Sequence, residues 1–247
     1  MPAVRYRPGR IARITLDRPS VLNAADEAWV ADLNVCADSA AADPDARVVI
    51  LEGAGTSFCS GIDLTVLAAG RIGRSWFEGW ERAMRALETM DRIVVAAIQG
   101  YCIGGGLQVA LACDVRVARD DAVLGLPAVK EGLIPGLGVW RLPRFVGLGR
   151  ARRMVLTGEV IGAREALAIG LVDEVAPAEG FAGAVEARAE QLAGVTFASA
   201  IEAKQLLDGS FGPYASALDA YLDAQERALA APDHATAMAA WRSRRAT

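Results

Sequence analysis

Apolar positions along the chain follow two alternating rhythms. From Val4 to Leu16 they alternate loosely with polar ones, which predicts a hairpin turning near Pro8-Gly9. From Asp26 to Ala42 the spacing becomes helical, with Trp29, Leu33 and Cys36 on one face and Asp43-Pro44 as the stop. Arg47 to Gly53, RVVILEG, is a continuous β-branched run that predicts a strand buried on both faces. It empties into a small, glycine-rich loop, Ala54 to Asp63. The plan then recurs. A helix through Trp76, Trp80, Met84 and Leu87 precedes a second buried strand, Ile93 to Gln99. That strand leads into a glycine loop, Gly100 to Gly106, then a helix, Leu107 to Cys113, and a short strand, Val115 to Ala118.

Past Ala178 the strand signal stops. Segments 180–194, 198–208, 214–230 and 234–245 are rich in Ala, Leu, Glu and Arg at helical spacing. The expectation is an α/β (α+β) chain with a β-rich core over 1–178 and a helical subdomain over 179–247 suited to oligomerisation.

Composition narrows the classes of function. At 247 residues and 53% hydrophobic, the chain can bury a substantial core and is too apolar for a disordered segment. No uncharged apolar run reaches the roughly 18 residues of a membrane span, and the N-terminus lacks a signal-peptide core, so a cytoplasmic protein is expected. A net charge of −4 without a basic stripe argues against nucleic acid as a partner. The four cysteines, Cys36, Cys59, Cys102 and Cys113, are dispersed, and His234 is the one histidine, so neither a disulfide framework nor a metal centre is expected.

The two glycine loops carry the chemistry. Gly104-Gly105-Gly106 lies between a buried strand and a helix, where exposed amides and the helix dipole favour a developing negative charge. A tight turn explains one such loop equally well. FCSGIDL, Phe58 to Leu64, is a second, and two loops can converge two amides on one carbonyl oxygen. A dinucleotide fingerprint starting at Gly53-Ala54-Gly55 fails because its last glycine position holds Phe58.

RPSVLNA (Arg18 to Ala24), FCSGIDL, QGYCIGGGLQVALACDVRVA (Gln99 to Ala118), PAVKEGLIPG (Pro127 to Gly136) and LTGEVIGAREALAIGLVDEV (Leu156 to Val175) resemble the crotonase (enoyl-CoA hydratase/isomerase) superfamily in order and spacing. The resemblance implies a spiral of ββα units assembled as a homotrimer or hexamer. It implies no permanently bound cofactor, with coenzyme A entering as part of an acyl-CoA substrate. Carried onto this chain, the oxyanion donors are the amides of Ile62 and Gly105. Leu22, Ala24, Asp63, Leu64 and Gly104 join them along the coenzyme path, while Arg18 and Pro19 are structural.

The chain also departs from that pattern. Similar hydratases place one glutamate two positions after the glycine triplet and another after the proline of a PE motif; here those positions hold Gln108 and Ala128. Neither side chain exchanges a proton near neutral pH, although Gln108 can hydrogen-bond water or substrate. Gly136 occupies the place where another subgroup carries an aspartate. Glu131 is the candidate replacement if its loop turns inward; the plainer expectation is a surface carboxylate paired with Lys130 or an arginine. Glu78, Glu81 and Glu88, on a helix, are expected to be solvated. Cys59 and Cys102 read as small buried residues, and Trp140 and Tyr101 as core or pocket wall. Two other functions stay open: a non-catalytic acyl-CoA binder, and a serine hydrolase using Ser57 or Ser60, for which His234 lies remote in sequence.

Overall fold

The computed structural model describes residues 2–208, 218, 222, 223, 226, 229, 230 and 232–245. The hairpin forms as β1 (Val4–Arg7) and β2 (Ile11–Leu16), paired antiparallel. β2 then pairs in parallel with β3 (Val48–Gly53), and β3 with β4 (Ile93–Ile98). β6 (Val115–Arg119) and β9 (Glu174–Ala176) complete a six-stranded sheet in the order β1-β2-β3-β4-β6-β9. The unbroken apolar runs are accounted for by layers on both faces. One face of β3 and β4 packs with Trp29, Leu33 and Leu87 in the larger core. The other face, Val48, Ile50, Ile93 and Val95, is covered by Val185 and Ala189 of α7 (Phe181–Ala193). Each such fully buried aliphatic side chain contributes about 1.5–3 kcal/mol.

α1 (Glu27–Ala42) starts one residue later than its pattern suggests because Asp26 caps it, accepting from Trp29 N at 2.9 Å. α3 (Arg74–Thr89) packs beside α1. A short helix, α2 (Leu64–Ala68), follows the first glycine loop.

The second glycine loop departs from expectation. Tyr101–Ile103 forms a strand, β5, that pairs with β7 (Val123–Gly125), itself paired with β8 (Val160–Gly162), giving a separate three-stranded sheet. Its partners lie far along the chain, so no local pattern announces it. α4 (Gly105–Leu111) begins inside the glycine triplet rather than at Leu107. α5 (Gly138–Thr157), broken at Gly147, joins β7 to β8 within the three-stranded sheet, and α6 (Ala163–Ala168) leads from β8 to β9 of the larger one. Helices α8 (Phe197–Asp208) and α9 (Pro232–Arg245) follow, and the expected helix over 214–230 falls largely outside the described residues. Among the described residues no helix is long and apolar enough to cross a membrane.

Candidate active site

The two glycine loops meet at the carboxyl ends of β3 and β4, and Asn23 holds the first of them in place. Asn23 is fully buried with φ of 57°, and its Nδ2 donates to the carbonyls of Ala54 (3.0 Å), Ser57 (2.9 Å) and Phe58 (3.1 Å). Its Oδ1 accepts from Arg18 N at 2.8 Å. Asparagine tolerates the left-handed region, and its two N–H groups are shared among three carbonyls, those of Ser57 and Phe58 in buried contacts. The Arg18 guanidinium in turn reaches Asp26 (3.0 Å) and Asp63 (3.4 Å), and Asp63 caps α2 through Thr65 N. Leu22, Ala24 and Asp63 thus lie in the scaffold of the loop, outside the residues that line the cavity described below; Leu64 lines it.

Gly61, at φ of 98°, brings the loops into contact. A β-carbon there would stand 3.1 Å from Gly105 N and 3.0 Å from Ile103 O. Ala25 pairs with Ile62 as a parallel bridge, using Gly61 O and Asp63 N. In that pairing the N–H of Ile62 itself points away from Ala25. Gly105 is the first residue of α4, so its N–H has no intrahelical acceptor. Gly106 sits so close to the first loop that a β-carbon would fall 2.0 Å from Cys59 O.

Ile62, Gly104 and Gly105 open onto a cavity of about 130 Å³. Gln108, Ala128 and Glu131 line the same cavity, as do Trp76, Phe77 and Trp80. Gln108 is 5% exposed, and its Oε1 has no hydrogen-bond partner among the described residues. Glu131 ends the tight turn Pro127–Glu131. It is half-buried and makes no ion pair with Lys130 or an arginine among the described residues, unlike the surface carboxylate that its sequence context suggested. Burial holds its carboxyl above the ordinary glutamate range, against the opposing pull of Lys130 and Arg244.

His234 is not remote. α9 lies across the Pro127–Glu131 turn, and His234 Nδ1 stands 3.1 Å from Glu131 O. No Ser–His pair forms among the described residues: Ser57 Oγ accepts from Tyr101 N at 3.3 Å, and Ser60 Oγ donates to Val21 O. The buried thiols are no nucleophiles either. Burial pushes Cys59 up to about 12 and Cys102 well above its usual value.

Two expectations fail for tertiary reasons. Glu81 and Glu88 are not solvated, because Arg141 of α5 meets Glu81 at 2.8 Å and Glu88 at 2.5 Å. The other Glu81 oxygen accepts from Leu137 N at 3.1 Å, which pins the loop before α5. Glu78 does remain exposed, paired with Arg74. Tyr101 is 46% exposed and lies outside the cavity lining, whereas Trp140, stacked on Arg144, packs against the main core as expected.

The chain belongs to the enoyl-CoA hydratase/isomerase family, whose model matches residues 7–240. It is 36% identical to an (E)-benzylidenesuccinyl-CoA hydratase of Thauera aromatica over 209 residues, 83% of this chain and 81% of that one. A probable enoyl-CoA hydratase of Mycobacterium bovis is 32% identical and covers 97% of this chain and 94% of its own length. An enoyl-CoA hydratase from Mycobacterium avium subsp. paratuberculosis K-10 superposes with a TM-score of 0.89 at 29% identity, over 97% of this chain and 98% of that one.

Proposed function

We propose that the protein binds an acyl-CoA thioester, polarises its carbonyl with the backbone N–H groups of Ile62 and Gly105, and moves a proton at the adjoining carbons with Glu131. One observation carries this reading: among the described residues lining the cavity that Ile62 and Gly105 share, Glu131 is the sole carboxylate. The two seats that hold glutamates in similar hydratases are filled by Gln108 and Ala128.

The division of labour follows from the chemistry of each group. Two preorganised donors stabilise charge on the thioester oxygen, which acidifies the α-carbon and activates the β-carbon of an enoyl group. Gln108 exchanges no proton, but its amide lines the cavity and orients a water or a substrate hydroxyl there. In the hydration direction Glu131 takes a proton from that water as its oxygen adds to the β-carbon. The same carboxyl then returns the proton to the α-carbon. A carboxyl raised by burial is a better match to a proton transfer near neutral pH than an ordinary one.

The carbonyl stretch of a bound acyl-CoA, labelled with 13C at the thioester, tests the polarisation directly. The reading expects a shift to lower frequency relative to free ligand; an unshifted band removes the oxyanion hole. Turnover is tested separately across a panel of enoyl-CoAs. Tight binding with no hydration, isomerisation or thioester cleavage would leave a non-catalytic acyl-CoA binder.

A further inference from the structure

We propose that the acyl cavity selects an aryl group rather than an alkyl chain, with Trp76 as the partition that excludes long chains. The proposal rests on the acyl-CoA reading above and names its substrate class.

Size is the first ground. About 130 Å³ is close to the roughly 150 Å³ of apolar cavities that hold a benzene ring. The wall is aromatic and continuous. Trp80 is sandwiched between Trp29 and Trp76, with centroids at 5.4 and 5.2 Å and planes within 16°. Phe77 meets Trp76 edge-on, at 5.3 Å and 83°. Both faces of Trp80 are therefore covered, and it offers the cavity its edge. Cη2 and Cζ2 lie 2.8 and 3.0 Å from the point where a Gly105 β-carbon would stand. An indole edge is the positive side of the ring quadrupole and favours the face of another ring, a preference that an alkyl chain cannot satisfy. Gln108, 5% exposed and with Oε1 unpartnered among the described residues, lines the same cavity.

Trp76 also lines a second space, the surface groove between α1 and α3 beside Val30, Asn34 and Gly79. It is 7% exposed, so its side chain is buried where the two spaces adjoin. Shortening that side chain joins the two spaces and gives a long chain a way out.

Calorimetric titration with saturated thioesters, which cannot be hydrated, tests this: butanoyl-, 3-phenylpropanoyl- and dodecanoyl-CoA, with CoA alone as reference. The wild-type protein is expected to bind the phenylpropanoyl ester at least about tenfold more tightly than either alkyl ester. In Trp76→Ala the dodecanoyl ester should gain about tenfold and the phenylpropanoyl ester should weaken. Wild-type protein that binds dodecanoyl- or butanoyl-CoA as tightly as phenylpropanoyl-CoA overturns the aryl preference, whether or not the variant folds. A folded Trp76→Ala with unchanged dodecanoyl affinity overturns the partition. If no acyl ester binds more tightly than CoA itself, the acyl-CoA reading falls, and the selectivity proposal falls with it.

Discussion

Gly136 and Gln108 occupy space that a single extra carbon would contest: a β-carbon on Gly136 would lie 2.1 Å from Gln108 Oε1. Gly136 also holds φ of 49°, where a side chain is strained in any case. The loop after the Pro127–Glu131 turn and the helix carrying Gly105 are thus fitted to each other around one amide. Gly136→Ala should push Gln108 out of its pose and lower kcat/KM on the best substrate by about a hundredfold, the scale of an ångström-sized misplacement. Thermal unfolding should show a folded protein. Unchanged kcat/KM would mean that the Gln108 pose has no part in turnover.

Glu131 makes a prediction with two signs. Burial raises its carboxyl, with Lys130 on its own turn and Arg244 on α9 opposing, while His234 of α9 faces its backbone oxygen. If Glu131 acts as the base, activity should fall on acidification with a midpoint above the ordinary glutamate range, and Glu131→Gln should abolish that activity. Stability moves oppositely. The native state holds the proton more tightly than the unfolded chain, so this group's cost is absent below the ordinary value and complete above the raised one. Glu131→Gln should therefore raise stability at neutral pH and change it little in acid, as urea titrations at two pH values would record.

Asn23 donates from one nitrogen to three carbonyls. Asn23→Asp keeps the shape and replaces that donor with a carboxylate oxygen facing the same carbonyls. The cost should be about 3 kcal/mol or more in chemical unfolding, since each buried group left unsatisfied costs about 1–3 kcal/mol. Activity should fall further than stability explains, because this loop carries Ile62. A variant as stable as wild type would show that the three contacts contribute little.

Arg141 is 1% exposed and lies between Glu81 and Glu88. Burial works against its charge, yet the two carboxylates outweigh it and hold the guanidinium above its ordinary value. Arg141→Leu removes the guanidinium that the buried Glu81 and Glu88 carboxylates share and should destabilise by about 3–5 kcal/mol in urea. It should also loosen Leu137, whose N–H the same glutamate accepts. Arg141→Leu combined with Glu81→Leu should recover much of the loss, because the fully buried carboxylate leaves together with its guanidinium.

What the sequence determined by itself is local. The β-branched runs from Arg47 and Ile93 became β3 and β4, and the helical spacing at Trp29 and Trp76 became α1 and α3. Their burial follows from patterns of a few residues, which are legible wherever one layer covers each face. The same chain also displays Gln108 and Ala128 at the positions where its resemblance to the crotonase superfamily implies glutamates. Tertiary structure decided everything that depends on segments meeting across the chain. Asn23 gives no local sign that it holds the loop at Ala54 to Phe58. Glu81 looks like any helix glutamate until Arg141 arrives 60 residues later. Glu131 reads as a surface charge until the Pro127–Glu131 turn, covered by α9, directs it to the cavity. Periodicity reports which face of an element is buried; it carries no record of which distant side chain waits on the other side.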